Sequence, residues 1–509
     1  MSEKKSKNRS FLNLAIIAGV ILLGLLIGKL TNNYGLAVQI LKALGLVMLG
    51  ITILVTIHEL GHFLTAKMFG MRAETFSIGF PPKIFSFTKG ETEYIFGAIP
   101  LGGFVKISGI IDESLDTEHL NEEPEPYEFR AKPVWQRLIV MTGGVIMNVI
   151  LGVAIFWGFK YSFGDSYLPM SQVEHGIYVP AYQVVPDSTE DGEVVMKEVE
   201  TLGYFLGFRT GDELISMNGE SFPNFDDYLD KKRLIEDDAH YFVRRNGQEV
   251  KIEVPGNIQN YFSGEEKIPF LFNFRADNQI RLGRHIDENT HEETLVDTLP
   301  AIRAGLQDGD QVYMLDSTQI EWYWQLMEYV AEYDSKEAMM VRVIRNGDSL
   351  SIPVTPNEKG QLGVLPDIEY TKVDYSFFGA FKPGVKKAFG FLTANAQGLS
   401  NLFTRKDVDR SKSVMGPIQI AKQYLVAFES GGMVRFLELT AMLSMILALV
   451  NILPIPALDG GHVVFLLIEA VTRKEPSPKV RIIAQQIGMI LILGLMILIF
   501  GNDIFQIFK

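Results

Sequence analysis

Five stretches of about 20 residues are apolar enough to require a hydrocarbon environment, so the chain must fold around a membrane. Phe11–Leu30 carries one charge, Lys29, near its end. Leu36–Ile57 carries only Lys42, and Phe436–Leu458 only Glu438, near its start. Leu138–Phe159 and Ile482–Gly501 carry none. The first run follows a basic tail (Lys4, Lys5, Lys7, Arg9), as a signal peptide would. It exceeds a typical signal core and no small-residue cleavage pattern follows, so it reads as a retained helix.

The charge is segregated. The chain has a net charge of −14, but residues 161–380 alone hold 40 acidic and 18 basic side chains. An acidic block therefore separates two basic, apolar ends, as expected for a membrane protein with one large extramembrane portion. Lys and Arg concentrate in the N-terminal tail, in residues 67–137 and in the loop holding Arg473, Lys474, Lys479 and Arg481. Those segments are expected in the cytoplasm and the acidic block outside it. The charge argues against nucleic acid as the main partner. With no cysteine, disulfides and thiolate chemistry are excluded, and any metal site must use His, Asp, Glu or backbone oxygen.

The second apolar run ends in His58-Glu59-Leu60-Gly61-His62. Positions i and i+4 share one helix face, so both imidazoles can hold one metal ion, and Glu59 is placed to act as general base. A pair of solvated histidines at a helix end is the alternative, but ionisable residues in an apolar helix are costly and usually functional. Zinc needs a third protein ligand and one open position. The fourth run supplies Asp459 in Asn451-Ile452-Leu453-Pro454-Ile455-Pro456-Ala457-Leu458-Asp459-Gly460-Gly461-His462, where prolines and glycines break the helix. The alternative is that Asp459 merely caps a helix end. His462 is a fourth ligand, a replacement for Asp459 or a polar neighbour supporting the ligands. A closed four-ligand shell leaves no open position, which favours Asp459 as ligand and His462 as neighbour.

With these two motifs the sequence resembles the site-2 protease family of intramembrane zinc metalloproteases, most closely its bacterial regulator-of-sigma-E type. His58-to-His62 matches the family's first motif, and Asn451-to-Gly460 matches NxxPxPxLDG at every fixed position. The resemblance implies zinc held by His58, His62 and Asp459, with Glu59 as general base and Asn451 holding the substrate backbone. Gly144-Val145-Ile146-Met147-Asn148 matches a GxxxN pattern, which makes Asn148 a second substrate-binding candidate. Gly143-Gly144 stands where relatives often have Gly-Pro, Gly79-Phe80-Pro81-Pro82 replaces their GFGP, and the helix at 11–30 is an addition.

Ala73–Phe87 and Thr92–Ile107 have strand composition around a Lys89-Gly90 turn. The resemblance implies a membrane-associated β-hairpin beside the active site. Its edge, with Gly102 and Gly103, could pair with an unwound substrate. An ordinary surface hairpin is the alternative. Asp112–Arg130, acidic with Pro124 and Pro126, reads as a flexible linker.

The acidic block contains two related units, Leu206–Gly219 and Ala304–Asp316, sharing G-h-x-x-G-D-x-h. Each is followed by an Arg-Asn-Gly turn, at 245–247 and 345–347. This resembles tandem PDZ domains, which bind extended peptides by strand addition and can select substrates by size. Acting only as bulk is the alternative. Residues 376–433 mix Phe and Lys as amphipathic juxtamembrane helices do. The role of Gly416-Pro417-Ile418 within them stays open.

The expected architecture is a polytopic α-helical membrane protein with about five spans, a β-hairpin and two extracytoplasmic PDZ-like domains. Its parts are an N-terminal tail and extra helix (1–35), an HExxH helix (36–72), the hairpin (73–107), a linker (108–137) and a second core helix (138–160). PDZ-like domains (178–258 and 270–368), juxtamembrane helices (376–433) and two further core helices (436–470 and 482–503) follow. The expected activity is zinc-dependent cleavage of single-span membrane proteins within or near their spans, in a bacterial inner membrane. Precedent substrates are pre-trimmed anti-sigma factors and remnant signal peptides. A membrane-anchored scaffold with a dead metal site is the main alternative, and the joint presence of His58, Glu59, His62 and Asp459 weighs against it. A transporter would favour inverted repeats, and none is seen.

Overall fold

In the computed structural model the described residues are 29, 34–110, 123–188, 194–261, 271–286, 293–295, 299–333, 337–357, 360–405 and 415–507. The expected helix at 11–30 therefore lies, Lys29 aside, outside them. The chain divides into two compact units, one built from the N-terminal third and the C-terminal end, the other from residues 165–373.

The first unit contains α1 (Tyr34–Met68), α2 (Val134–Phe163), α3 (Phe381–Thr404), α4 (Pro417–Asn451), α5 (Asp459–Thr472) and α6 (Pro478–Ile507). Among the described residues, four helices (α1, α2, α4 and α6) are long and apolar enough to cross a membrane. α6 leaves Ile487, Ile490, Ile497 and Leu498 exposed on the protein surface, which only a lipid solvent makes favourable. α1 and α2 pack backbone to backbone. A Cβ on Gly61 would stand 2.2 Å from the Gly143 carbonyl oxygen. The buried ion pair between Arg137 and Glu469 ties α2 to α5.

Helix α4 is not one rod. Gly431 and Gly432 leave helical geometry, with Gly432 at φ 57°. The Tyr424 hydroxyl then lies 3.2 Å from Thr440 Oγ1, whereas a straight helix separates residues 16 apart by about 24 Å. The chain folds back, and residues 417–430 pack on the core instead of continuing the surface helices expected through 433. Fully buried Tyr424 seats where a Cβ on Gly50 would lie 2.3 Å from its hydroxyl. The expected single segment 436–470 is likewise two helices, since the chain leaves α4 after Asn451 and resumes at Asp459.

The role left open for Gly416-Pro417-Ile418 follows from this fold. Asp503 of α6 is 1% exposed, and its Oδ2 accepts the Ile418 N–H at 2.9 Å, capping the first turn of α4 from another helix. Pro417 occupies the position where a missing N–H costs nothing. A Cβ on Gly416 would stand 2.1 Å from that carboxylate. Gly416→Ala should therefore lower stability by about 1–3 kcal/mol through overpacking. Asp503→Asn, which keeps an acceptor oxygen, should cost less. Thermal unfolding of the detergent-solubilised protein checks both, and equal losses would reject the cap.

The hairpin is more folded than its sequence suggests. β1 (Ala73–Lys89) and β2 (Thr92–Ile107) each bend. Residues Thr75–Ile78 pair with Lys106–Gly103 in falling order and with Glu93–Phe96 in rising order, while Lys83–Lys89 pair with Gly97–Thr92. The two strands thus make a curled four-strand sheet in the order 103–107, 73–78, 93–97, 83–89. The bends need glycine: a Cβ on Gly97 would stand 2.2 Å from the Phe80 carbonyl oxygen, and Gly79 has φ +84°. Thr52 of α1 anchors the sheet by donating to the Pro100 carbonyl at 2.9 Å.

The segment expected as a flexible linker is packed at its described end. Phe129 is buried with Ala66, Met71 and Val140, and its N–H donates to the Ser108 carbonyl. An aromatic side chain that finds apolar cover overrides the disorder signal of its acidic neighbours.

The second unit has two cores. The first gathers Leu168 to Ala276 around a three-stranded sheet (Glu213–Met217, His240–Arg245, Gln248–Glu253). It extends beyond the expected 178–258 because Ile177–Tyr178 pairs with Asn273–Phe274. The second gathers Ile280 to Val364 around a four-stranded sheet of Thr318–Gln319, Gln311–Leu315, Met339–Arg345 and Asp348–Val354. The sequence repeat is a structural repeat. Gly207 and Gly305 end short helices at positive φ, and Gly211 and Gly309 turn into the buried Asp212 and Asp310. Each Asp takes a two-pronged ion pair from the Arg of its Arg-Asn-Gly turn, Arg245 and Arg345, at 2.6–2.7 Å.

Candidate metal centre

Helix α1 carries His58 and His62 one turn apart, both buried, with imidazoles facing the start of α5. Asp459 is the first residue of α5. The broken segment 452–458 folds tightly over that start. A Cβ on Gly460 would stand 2.2 Å from the Leu453 carbonyl oxygen and one on Gly461 2.6 Å from that of Ile455, so the Asp-Gly-Gly sequence is a packing requirement.

The three side chains form a triangle. His58 Nε2 and His62 Nε2 are 3.2 Å apart, and Asp459 Oδ2 lies 3.1 Å from the first and 3.4 Å from the second. Metal–ligand bonds of about 2.0–2.1 Å at tetrahedral angles put neighbouring ligand atoms about 3.3 Å apart, so the triangle matches one face of such a shell. Asp459 Oδ2 is buried with no hydrogen donor. A buried carboxylate oxygen facing two imidazole nitrogens is the donor set a divalent cation satisfies. Among the described residues, His58, His62 and Asp459 are the group able to hold a metal ion.

Asn451, at the end of α4, brings its amide nitrogen 3.3 Å from His58 Nε2 and is only half-buried. Asn148 of α2 is wholly buried, with its amide nitrogen 3.1 Å from His58 Nδ1, behind the ring. Glu59 is half-buried, and a Cβ on Gly103 would stand 3.6 Å from its Cγ, so the outer strand 103–107 passes directly beside this carboxylate. Gly102 does something else: it packs beneath Phe80, whose ring would lie 2.3 Å from a Cβ there. His462 lines a separate small cavity with Phe129, Arg481 and Gln485, one turn from Asp459.

Val140 is absent from the sequence analysis, and Gly144 enters it only as part of the GxxxN pattern, with no role. The Val140 carbonyl oxygen accepts from His62 Nδ1 at 2.8 Å, and Gly144 clears space for both rings. The sequence trace that joins Val140 to that pattern is the four-residue spacing of Val140, Gly144 and Asn148.

Residues 46–495 match the family described as Peptidase family M50. The chain is 28% identical over 491 residues to the "Regulator of sigma E protease" of Haemophilus influenzae, covering 92% of this chain and 99% of that one. It is 28% identical over 472 residues to the "Regulator of sigma-E protease RseP" of Escherichia coli, covering 89% and 96%. It is 27% identical over 473 residues to the "Zinc metalloprotease RasP" of Geobacillus kaustophilus, also covering 89% and 96%.

Proposed function

The chain belongs to peptidase family M50, the site-2 protease family, and is an intramembrane metalloprotease; from that premise we propose that it cleaves single-span membrane proteins within or near their spans, using zinc held by His58, His62 and Asp459. The observation that carries this reading is the triangle of ligand atoms, 3.1–3.4 Å on a side, next to Glu59. Bound there, zinc supplies Lewis acidity that polarises a peptide carbonyl and makes water acidic enough to attack at neutral pH. Glu59 takes the proton from the attacking water and delivers it to the leaving amine. The half-buried Asn451 amide is suited to donate to a substrate carbonyl. The strand through Gly103 offers backbone N–H and C=O groups to an unwound span, which must lose its helical hydrogen bonds before its peptide bonds can be reached.

The substrates are proposed to be single-span proteins such as pre-trimmed anti-sigma factors or remnant signal peptides, in a bacterial inner membrane. The N-terminus would be cytoplasmic and the acidic unit extracytoplasmic. The paired cores of that unit are proposed as PDZ-like modules that bind or filter substrate. An open cleft of about 1320 Å³ within it, lined by Tyr178, Arg281, Tyr323, Trp324 and Glu328, supports this by offering aromatic and charged walls to an extended chain.

Reconstituted with a single-span peptide in liposomes, the protein should cut within the span, stop when a chelator removes zinc and recover when zinc returns. Cleavage confined to extramembrane loops, or indifference to chelation, rejects the reading. Purified protein should carry about one zinc per chain. Asp459→Ala should strip it, while His462→Ala should leave it bound. Metal loss from His462→Ala alone would overturn the ligand assignment.

A further inference from the structure

We propose that Asn148 is a positioning residue of the metal centre: its side-chain amide fixes the His58 ring so that Nε2 faces the metal, and α2 supports both ligand histidines through one stripe, Val140, Gly144 and Asn148. This rests on the metal reading above. It assigns Asn148 a role different from the substrate contact expected from its GxxxN pattern.

The three residues are spaced four apart and so lie on one face of α2, one turn above another. Each does one thing to an imidazole. The Val140 carbonyl oxygen lies 2.8 Å from His62 Nδ1. A carbonyl can only accept, so Nδ1 of His62 carries the proton and Nε2 is left with its lone pair toward Asp459 and His58. Gly144 makes the approach possible. A Cβ there would stand 2.5 Å from both His58 Cε1 and His62 Nε2, so the rings lie against bare helix backbone.

Asn148 does for His58 what Val140 does for His62. It is 0% exposed, its amide lies 3.1 Å from His58 Nδ1, and its Oδ1 is buried with no hydrogen-bond partner. When His58 gives its Nε2 lone pair to a metal, Nδ1 must carry the proton, and the amide then turns Oδ1 toward it as acceptor. The backbone under Asn148 is itself held, since Ser444 of α4 donates to the Asn148 carbonyl oxygen at 2.8 Å. A side chain enclosed on all sides has no surface to present to a peptide. Asn451, 3.3 Å from His58 Nε2, is only half-buried and keeps such a surface.

The test measures zinc affinity by chelator competition, and the visible spectrum of the cobalt-substituted protein, on the full chain in detergent. Wild type sets the reference, and failure of wild type to bind either metal would defeat the metal reading itself. Asn148→Leu keeps the volume but offers no acceptor. It should weaken zinc binding about 10–100-fold and shift the cobalt bands, while KM at saturating zinc barely changes and kcat falls. Asn148→Asp keeps an acceptor oxygen and should hold zinc as tightly as wild type or tighter, with a wild-type cobalt spectrum. An Asn148→Leu variant with wild-type zinc affinity and spectrum but a raised KM would make Asn148 a substrate contact and overturn the proposal. Equal losses of metal in the Leu and Asp variants, with lowered melting temperatures in both, would reduce its role to packing and overturn it as well.

Discussion

Glu59→Gln should retain zinc at wild-type stoichiometry and lower turnover by about 10²–10⁴-fold, the usual worth of a positioned acid–base group. Gln has the size and shape of Glu but cannot accept a proton. Glu59 is not part of the ligand triangle, so the metal should stay. Glu59 follows the ligand His58 in sequence, and its side chain packs beside Gly103, where a substrate backbone bound along that strand would meet it. Single-turnover cleavage of a span peptide measures the rate, and metal analysis on the same sample measures the zinc. In cells, membranes carrying the variant should accumulate uncut single-span fragments, some of them still bound to the enzyme. Wild-type turnover by a metal-loaded variant, with deamidation excluded, would remove Glu59 from the mechanism and restore the scaffold reading.

Arg345→Leu should destabilise the second core of the acidic unit by about 3 kcal/mol, the low end for breaking a buried ion pair, because the guanidinium is 20% exposed. Asp310 is fully buried. Without Arg345 its carboxylate still accepts the Gln307 N–H at 2.9 Å, which does not offset a buried charge. The Arg345 guanidinium also donates to the Gly305 carbonyl oxygen at 2.9 Å, so the variant loosens the helix end too. Amide exchange in strands Met339–Arg345 and Asp348–Val354 of the full chain should accelerate about 10²-fold, since 1.36 kcal/mol is one decade. Protection in α1 and α2 should not change. Adding Asp310→Leu should recover part of the loss, because two apolar residues leave no buried charge. A double variant less stable than Arg345→Leu would show that the pair contributes something other than charge compensation.

The parts of this protein legible in one dimension are those set by local periodicity. An apolar run long enough to span hydrocarbon is a helix wherever it stands, so α1, α2 and α6 were readable, and the i,i+4 spacing put His58 and His62 on one face before any partner was known. The Asn-Gly turns at 246–247 and 346–347 were readable for the same reason: Asn246 and Asn346 take φ near 50° and the following glycines are also at positive φ, a conformation those residue types tolerate. The repeat was visible as letters, but not the cause of its spacing, the ion pair that joins each buried Asp to an Arg 33 or 35 positions later.

Convergence over long separations was invisible to that reading. Asp459 reaches His58 across 400 intervening residues only because Gly61, Gly143 and Gly144 let α1 and α2 touch, while Gly460 and Gly461 let the chain break close over α5. The same blindness turned a curled four-strand sheet into a plain hairpin, a folded-back helix into a surface segment and packed Phe129 into a linker. In each case a contact with a distant element decided the outcome, and apolar burial or a glycine's missing side chain supplied the energy or the space for it. The sequence by itself determined which segments are long and apolar enough to cross a membrane and which side chain types can hold a metal. Tertiary packing alone decided that Asn148 stands behind a ligand instead of in front of it, because one helix face looks the same in sequence whether a substrate or an imidazole lies against it.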